Sequence, residues 1–370
     1  MADYVDTLKA ARQSIDAVFI SHMHEDHVNG LSLLLAEVAV ERIYLPLLDP
    51  IGRLMTLQPE PPSAAVRAYV IDGARGLERA LGAEEGTVVE VSRGETSAPD
   101  VGDFGEVWDR FSNEGGIGIA TIGEGAYRPQ QPKGPILDSN AVVLGTSAPR
   151  WEFCFYIEDR ALARKGAFLR ALSCSPGMPR EARGELLEDW LDANRAALVT
   201  SKAHRTAVRD AMKAAKIEIN TASCLVYSGP VSDPCLPDPW CVRGGDAETS
   251  HGRAAGPVFL ELPFGVAWLG TGDAHLVSAT VKRVVSHFGE SRIRSVCTFT
   301  VPHHGSSRDF STHAASALRG ANAVLSYGEP NTYGHPAPET LDCIRDAQML
   351  ERHVTQGDDR RFVERYSWSW

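Results

Sequence analysis

The sequence predicts an α/β protein, in which a helical insertion interrupts a series of strands. Residues 16–47 are typical of a strand, a helix and a second strand at the spacing of a β-α-β unit. Residues 159–216 show helical periodicity with almost no strand signal, and strands resume from residue 223. Because strands lie on both sides of the helical segment, we expect one domain over residues 1–370 with residues 159–216 inserted in it.

The elements before the insertion are predicted from their periodicity. They are a helix over 5–13, a strand over 16–21, a helix over 31–40, a strand over 42–47, a helix over 63–83 and a strand over 86–92. Residues 93–139, which include EGGIGIATIGEGAY (114–127), are predicted to be loops with an edge strand. This Gly-rich stretch lacks the lysine of a phosphate-binding loop. Residues 141–147 and 152–158 are expected to form a hairpin.

The elements after the insertion are mainly strands. They are predicted at 223–229, 257–263, 265–272, 294–302 and 322–328, followed by a helix at 337–347 and a strand at 362–369.

The composition is that of an ordinary globular protein. The chain is 43% hydrophobic and 23% charged, and its net charge of −11 argues against non-specific coating of nucleic acid. No apolar run approaches the roughly 18–20 residues that a membrane span needs. The first residues, MADYVDTLKAARQS, have no apolar core of the signal-peptide kind, so we expect a cytoplasmic protein without a membrane partner.

The seven cysteines do not suggest a disulfide framework. Their number is odd and no C-x-x-C pair occurs. Cys235 and Cys241 bracket LPDPW, and with His251 they are compatible with a small zinc loop. The alternative is two reduced thiols in a Pro-rich loop.

The most informative stretch is AVFISHMHEDHVNG, residues 17–30. His22, His24, Asp26 and His27 follow directly after a strand-like segment, and imidazole and carboxylate suit Zn²⁺, Mn²⁺ or Fe. In an extended segment His22 and His24 point the same way, because side chains repeat with a period of two. If the chain then turns into a helix, Asp26 and His27 are free to serve a second metal. We expect Met23 to be core and Glu25 to be exposed or a helix-start residue.

Three further groups of candidate ligands stand at the ends of predicted strands. Asp273 follows one strand in AWLGTGDAHL, His303 and His304 follow the next in TFTVPHHGSS, and His335 lies after the third in SYGEPNTYGHPAPE. Strand ends are where an α/β fold gathers its site.

These motifs carry a family resemblance. SHMHEDH resembles the H-x-H-x-D-H signature of the metallo-β-lactamase fold. The later GTGDA, VPHHGSS and YGHPAPETL, with NTASCLVYSG before them, are similar to the ComEC-type branch, which includes the hydrolase domain of DNA-uptake proteins. The resemblance covers residues 16–48 and 220–345, and it implies an αβ/βα sandwich with metals at one edge of two packed sheets.

The resemblance also implies two divalent metal ions, Zn²⁺ or Mn²⁺, and a set of ligands. His22 and His24 would bind the first metal, Asp26 and His27 the second, and Asp273 would bridge them. One histidine of the HHG pair, His303 or His304, would complete the first metal, and His335 the second. His204, in a helical segment, is not a convincing alternative ligand.

The implied reaction is hydrolysis by metal-bound hydroxide. Asp26 would orient the nucleophile, and the HHG histidine that is not a ligand would protonate the leaving group. Ser306 and Ser307 stand beside this pair and either contact the substrate or cap a helix. We favour a phosphodiesterase or nuclease acting on nucleic acid or nucleotides. The alternatives are a hydrolase of a carboxylic ester, lactone or amide, and a non-enzymatic component that binds partner proteins in a multi-gene system.

The insertion is basic in an acidic chain. Residues 158–216 contain twelve Lys or Arg and eight Asp or Glu. Such a segment is compatible with recruitment of a polyanion, and equally with a solvated helical surface packed on the sheets.

The N-terminus departs from the family pattern. Relatives normally have two strands before the H-x-H-x-D-H strand, whereas here a helix-like segment precedes it. We expect a fold that lacks those first strands, or a true start upstream of Met1.

Overall fold

The computed structural model of the chain contains two compact units. The first unit comprises Met1–Arg93, Glu124–Asp138 and Ile157–Cys224, and the second comprises Gly94–Gly123, Ser139–Tyr156 and Leu225–Trp370. The structure describes residues 2–58, 60–93, 117–120, 127–130, 134–138, 142–145, 151–158, 162–179, 181, 187–217, 223–231, 241–244, 260–261, 266–331, 333–356, 362 and 365–368. The expected α/β class is confirmed, and the single-domain organisation stays a prediction.

The first unit contains a five-stranded sheet flanked by helices. Its strands are β1 (Ile15–Phe19), β2 (Val40–Pro46), β3 (Val88–Ser92), β5 (Tyr127–Gln130) and β6 (Gly134–Asp138). The order is β1-β2-β3-β6-β5, with every neighbouring pair parallel except β5 and β6. Its helices before β3 are α1 (Ala2–Ala10), α2 (Glu25–Val28), α3 (Leu31–Glu37), α4 (Pro50–Leu54) and α5 (Ala64–Leu81). The predicted β-α-β start is therefore confirmed.

The helical insertion is part of the core of the first unit. Its described helices are α6 (Lys165–Ser173), α7 (Leu187–Ala193), α8 (Arg195–Thr200) and α9 (Lys202–Ala214). Buried apolar side chains of the insertion, such as Phe168, Leu191 and Val208, belong to the same hydrophobic cluster as Ile43 and Tyr69 of the sheet region. The insertion is thus packed as an integral layer of this unit.

The second unit is built on an eight-stranded sheet. Its strands run in the order β15 (Leu350–Val354), β14 (Asn322–Ser326), β13 (Val296–Thr300), β12 (Ala267–Gly270), β9 (Cys224–Pro230), β8 (Trp151–Ile157), β7 (Val142–Gly145) and β4 (Ile117–Ala120). The four strands from β12 to β15 are parallel, whereas β12 and β9 are antiparallel. The predicted β7–β8 hairpin is confirmed.

The remaining elements of the second unit complete this description. Its helices are α10 (Ser278–Phe288), α11 (Glu290–Ser295), α12 (Thr312–Ala317) and α13 (Pro338–Asp346). A second sheet has the order β11 (Leu260–Glu261), β10 (Cys241–Gly244) and β16 (Arg365–Trp368). No helix among the described residues is both long enough and apolar enough to cross a membrane.

Three boundary predictions were wrong. The helix predicted over 31–40 ends at Glu37, because Val38 is already extended and Val40 opens β2. The first helix is Ala2–Ala10 rather than 5–13. The segment 93–139 was predicted to be loops with an edge strand, yet it contributes β4, β5 and β6, and β6 pairs in parallel with β3.

A buried ion pair stabilises the second unit away from its loops. Arg292 donates from Nε and Nη2 to the two carboxylate oxygens of Glu152 at 2.8 and 2.9 Å, and the Glu152 side chain is 2% exposed. Arg292 also donates to the Phe288 carbonyl at 3.1 Å. Two parallel hydrogen bonds in a desolvated position fix the relative placement of β8 and α11.

Replacing Glu152 should therefore destabilise the protein strongly. We expect Glu152→Ala to lower the free energy of unfolding by roughly 3–5 kcal/mol, because it leaves the Arg292 guanidinium buried without its partner. The exposed pair Arg294–Glu290 is a matched control, and Arg294→Ala should cost less than about 1 kcal/mol. Urea unfolding followed by tryptophan fluorescence measures both. Equal losses for the two variants would contradict the role of the buried pair.

Candidate metal centre

Two histidines lie together where the chain leaves β1. His22 and His24 are buried, and the Nε2 atom of His22 lies 3.0 Å from the Nδ1 atom of His24. Their rings are 4.4 Å apart and nearly perpendicular. The intervening Met23 is fully buried in the core of the first unit. The period-two prediction for this stretch is confirmed, since both imidazoles are on the side opposite to Met23.

The third histidine joins them from the helix that follows. His27 lies in α2, and its ring centroid is 4.1 Å from that of His22. The Oδ2 atom of Asp26 lies 3.7 Å from Nε2 of His27, and the Asp26 side chain is 58% exposed. All four predicted ligands of this turn are thus within one compact group of the first unit.

Ser21 orients two of these rings and was not predicted from the sequence. Its Oγ atom lies 3.0 Å from Nδ1 of His22 and 3.3 Å from Nδ1 of His27. Its carbonyl accepts a hydrogen bond from the Cys224 backbone at 2.8 Å. A serine before a histidine is too common a pair to indicate this contact in advance.

Glu25 stabilises the turn through a hydrogen bond to the backbone of a neighbouring helix. Its Oε1 atom accepts a hydrogen bond from the backbone N–H of Ser63 at 2.6 Å. Ser63 is the N-cap of α5, so Glu25 links the start of α2 to the start of α5. This agrees with the prediction of a helix-start residue.

In the second unit, loops after neighbouring parallel strands carry the other predicted ligands. The backbone N–H of Thr271 donates to Oγ1 of Thr300 at 2.9 Å, and Oγ1 of Thr271 donates to the Thr300 carbonyl at 2.6 Å. His303 then donates its backbone N–H to the Gly272 carbonyl at 3.1 Å. These bonds hold the loop of the buried Asp273 beside the loop of His303.

The HHG loop has a left-handed backbone at three successive residues. The φ angles of His303, His304 and Gly305 are +49°, +56° and +88°. Non-glycine residues rarely adopt this region, and each one costs of the order of 1–3 kcal/mol unless its surroundings impose it. Such strain is concentrated at functional sites, which agrees with the prediction that this loop is part of one.

The structure distinguishes the two histidines of this loop. Nε2 of His303 lies 4.0 Å from Oδ2 of Asp273, and its Nδ1 lies 2.7 Å from Asp309. Nδ1 of His304 lies instead 2.6 Å from the Ser326 carbonyl, and its ring is 6.1 Å from that of His303. His303 is therefore the member of the pair that groups with Asp273.

His335 completes this group. Its ring centroid lies 5.6 Å from that of His303, and its buried Nδ1 atom has no hydrogen-bond partner among the described residues. Burial, followed by the neighbouring His303 and His304, lowers the pKa of His335, which favours the neutral imidazole that binds metals. A hydrogen bond to Asp309 raises the pKa of His303.

Asp309 and His275 belong to the same group and were missed from the sequence. The carboxylate of Asp309 lies 2.9 Å from Nδ1 of His275 and 2.7 Å from Nδ1 of His303. Burial opposes the charge of Asp309, but hydrogen bonds from His303, His275 and Ser306 hold its pKa below its ordinary value. A carboxylate that accepts a hydrogen bond from a metal-binding histidine is a common arrangement. The spacing of six residues between His303 and Asp309 does not by itself predict that contact.

The two serines of the loop occupy different environments. Ser306 is buried, and its Oγ accepts a hydrogen bond from the backbone of Arg308 at 3.3 Å, so it stabilises the turn. Ser307 is exposed. Substrate contact by either serine stays a prediction.

Four of the basic residues of the insertion make structural bonds. Arg205 donates to the Val199 and Thr200 carbonyls at the end of α8. Other bonds of this kind join Arg164 to the Ala215 and Lys216 carbonyls, Lys165 to Asp49, and Arg195 to the Ile71 carbonyl. These four cations favour the interpretation of the insertion as a packed helical layer.

Two further candidates lie outside the groups described above. His204 packs on Trp190 with ring centroids 6.0 Å apart, and its Nδ1 lies 3.2 Å from the Ala197 carbonyl. Cys235 and His251 of the proposed zinc loop lie outside the described residues, as does the side chain of Cys241.

Comparison with known proteins adds no relative. No family model, curated protein or solved structure matches the chain. The resemblance to the metallo-β-lactamase fold therefore stays a prediction that depends on its four motifs.

Gly305 should be indispensable to the HHG loop. A Cβ atom at Gly305 would lie 2.6 Å from Cβ of Pro336 and 3.0 Å from Cδ2 of Leu325, whereas one at Gly334 would meet nothing within 4 Å. Both glycines have positive φ. We expect Gly305→Ala to lower the free energy of unfolding by roughly 1–3 kcal/mol more than Gly334→Ala, because only the former adds a clash to the left-handed strain. Chemical unfolding of both variants measures the difference, and equal losses would rule out the clash.

Proposed function

We propose that the chain is a divalent-metal-dependent hydrolase of phosphodiesters, of the metallo-β-lactamase fold and nearest its ComEC-type branch. The histidine turn of the first unit and the strand-end loops of the second unit each carry candidate metal ligands. The observation that carries the proposal is the convergence of His22, His24 and His27, with ring nitrogens of the first two 3.0 Å apart in a buried position.

The donor chemistry of the turn fits a metal. The turn offers three imidazoles and the carboxylate of Asp26, which are ligand types that Zn²⁺ and Mn²⁺ accept. Burying polar imidazoles costs free energy unless their nitrogens are hydrogen-bonded or bind a metal. Ser21 contacts Nδ1 of both His22 and His27. Nε2 of His22 in turn lies 3.0 Å from Nδ1 of His24, so the ring nitrogens of these two histidines face one another.

The group in the second unit fits in the same way. Asp273 is buried, His303 directs Nε2 towards it, and the Nδ1 of His335 is buried without a hydrogen-bond partner among the described residues. We assign the ligand role to His303 and the proton-donor role to His304. The reason is that His303 directs Nε2 towards Asp273 and has Asp309 at its Nδ1, whereas His304 engages Nδ1 with the Ser326 carbonyl.

The bound ions would acidify a water molecule and stabilise developing negative charge on the substrate. The protein's own residues would do the remaining work. Asp26, exposed beside His27, would orient the attacking water. As an imidazolium, His304 would give its Nε2 proton to the leaving oxygen and keep its Nδ1 proton on the Ser326 carbonyl.

Nucleic acid or a nucleotide is the substrate class that we favour. The support is the ComEC-type character of the GTGDA, VPHHGSS and YGHPAPETL motifs. Because Arg164, Lys165, Arg195 and Arg205 make structural bonds, we expect recognition of the phosphodiester to depend on the metals and the HHG loop rather than on these four cations.

Metal analysis and a paired variant test this function. The purified protein should contain about two equivalents of Zn²⁺ or Mn²⁺ and hydrolyse bis-p-nitrophenyl phosphate. Asp273→Ala should lose metal and reduce hydrolysis about a hundredfold or more, because it removes a buried carboxylate ligand. His204→Ala is the matched control, since His204 packs on Trp190, and it should retain both metal and activity.

Three outcomes would overturn the proposal in different ways. Full activity in Asp273→Ala would remove the proposed ligand set. Hydrolysis of lactones without any phosphodiester cleavage on single- or double-stranded DNA, RNA or nucleotides would replace the substrate class. A protein that binds no metal and hydrolyses nothing would favour the partner-binding alternative.

A further inference from the structure

One carboxylate in the second unit serves two histidines. Oδ1 of Asp309 lies 2.9 Å from Nδ1 of His275, and Oδ2 lies 2.7 Å from Nδ1 of His303. The Asp309 side chain is 7% exposed. Each oxygen thus has its own imidazole partner in a desolvated position.

The chemistry of the carboxylate determines the tautomer of both rings. An ionised carboxylate only accepts hydrogen bonds, so each facing imidazole nitrogen must carry the proton. Both histidines therefore hold a proton on Nδ1, and in the neutral form of each ring Nε2 has the lone pair. For His303 that lone pair is directed towards Asp273, 4.0 Å away.

The backbone of this region is held independently of the Asp309 side chain. The N–H of Leu276 donates to the Asp309 carbonyl at 2.8 Å, and Leu276 forms a parallel bridge with Phe310. Oγ of Ser311 donates to the Leu276 carbonyl at 2.7 Å. A change confined to the Asp309 carboxylate leaves these bonds in place, so its effect on the histidines is separable from the path of the loop.

We propose that Asp309 is a positioning residue that fixes the Nδ1-protonated tautomer of His275 and His303 and so presents Nε2 of His303 beside Asp273. His275 thereby becomes a second histidine of this group with an Nε2 lone pair. The consequence for metal binding rests on the proposed function, whereas the tautomers do not. Carboxylates that stand behind metal-binding histidines fix ring orientation and increase ligand basicity.

The tautomers are tested in the metal-free protein. Two-bond ¹H–¹⁵N correlation spectra of the imidazole rings distinguish a proton on Nδ1 from one on Nε2, and His275→Ala and His303→Ala assign the signals. We expect Nδ1–H for both rings in the unaltered chain. The spectra are recorded at a pH at which both rings are neutral, and a neutral ring with its proton on Nε2 at either position would overturn the proposal, whatever the variants show.

Asp309→Asn provides the sharper comparison. The amide has one acceptor oxygen and one donor nitrogen, so it can support Nδ1–H in only one of the two rings, and the other should change to Nε2–H. Asp309→Glu keeps both acceptors and should restore Nδ1–H at one ring or both. Asp342→Asn, with a side chain that is 71% exposed in the unaltered chain, should change neither ring. Retention of both Nδ1–H signals in Asp309→Asn would contradict the role of the carboxylate.

Zn²⁺ titration then separates this proposal from the proposed function. If both hold, Asp309→Asn should weaken Zn²⁺ binding by roughly 10- to 100-fold, and Asp309→Glu should recover part of it. If the unaltered chain shows Nδ1–H at both rings but binds no Zn²⁺, the proposed function fails and the tautomer assignment stands. Equal Zn²⁺ affinity in Asp309→Asn and the unaltered chain would overturn the positioning role.

Discussion

The parallel pairing of β12, β13 and β14 is the constraint on which the second unit's candidate site depends. Parallel neighbours end at the same edge of a sheet, so the loops that carry Asp273, His303 and His335 emerge side by side. Hydrogen bonds between Thr271 and Thr300 join the first two loops directly at the strand ends. Without this register, residues separated by about sixty positions along the chain would have no reason to meet.

The first unit also brings several histidines together, but it does so within one short segment of the chain. There a single turn after β1 provides His22, His24 and His27, because an extended segment and then one turn of helix bring their rings together. Local sequence suffices for this group, and Ser21 only adjusts the ring orientations. The second unit instead needs long-range contacts, a strained backbone and the buried carboxylate of Asp309.

This difference explains what the sequence could and could not predict. The histidine turn and the strands that precede Asp273, His303 and His335 follow from local periodicity, and both were predicted, whereas the parallel pairing of those strands was not. Asp309 and His275 were missed, because only the folded loops bring them within 2.9 Å. The end of α3 was placed too late because apolar Val38 and Val40 fit a helical pattern as well as a strand. Residues 93–139 were assigned one edge strand, whereas they contribute β4, β5 and β6, because the Gly-rich sequence there shows little periodicity.

The left-handed conformation of the HHG loop also determines which residues the loop can accept over evolutionary time. Asparagine and aspartate tolerate positive φ better than other side chains with a Cβ atom, whereas valine, isoleucine and threonine tolerate it worst. At His304, with φ of +56°, an imidazole is therefore exchangeable for an amide or a carboxylate without rebuilding the turn. The same backbone is thus able to carry an imidazole, an amide or a carboxylate at this position. The positive φ angle disfavours β-branched residues there.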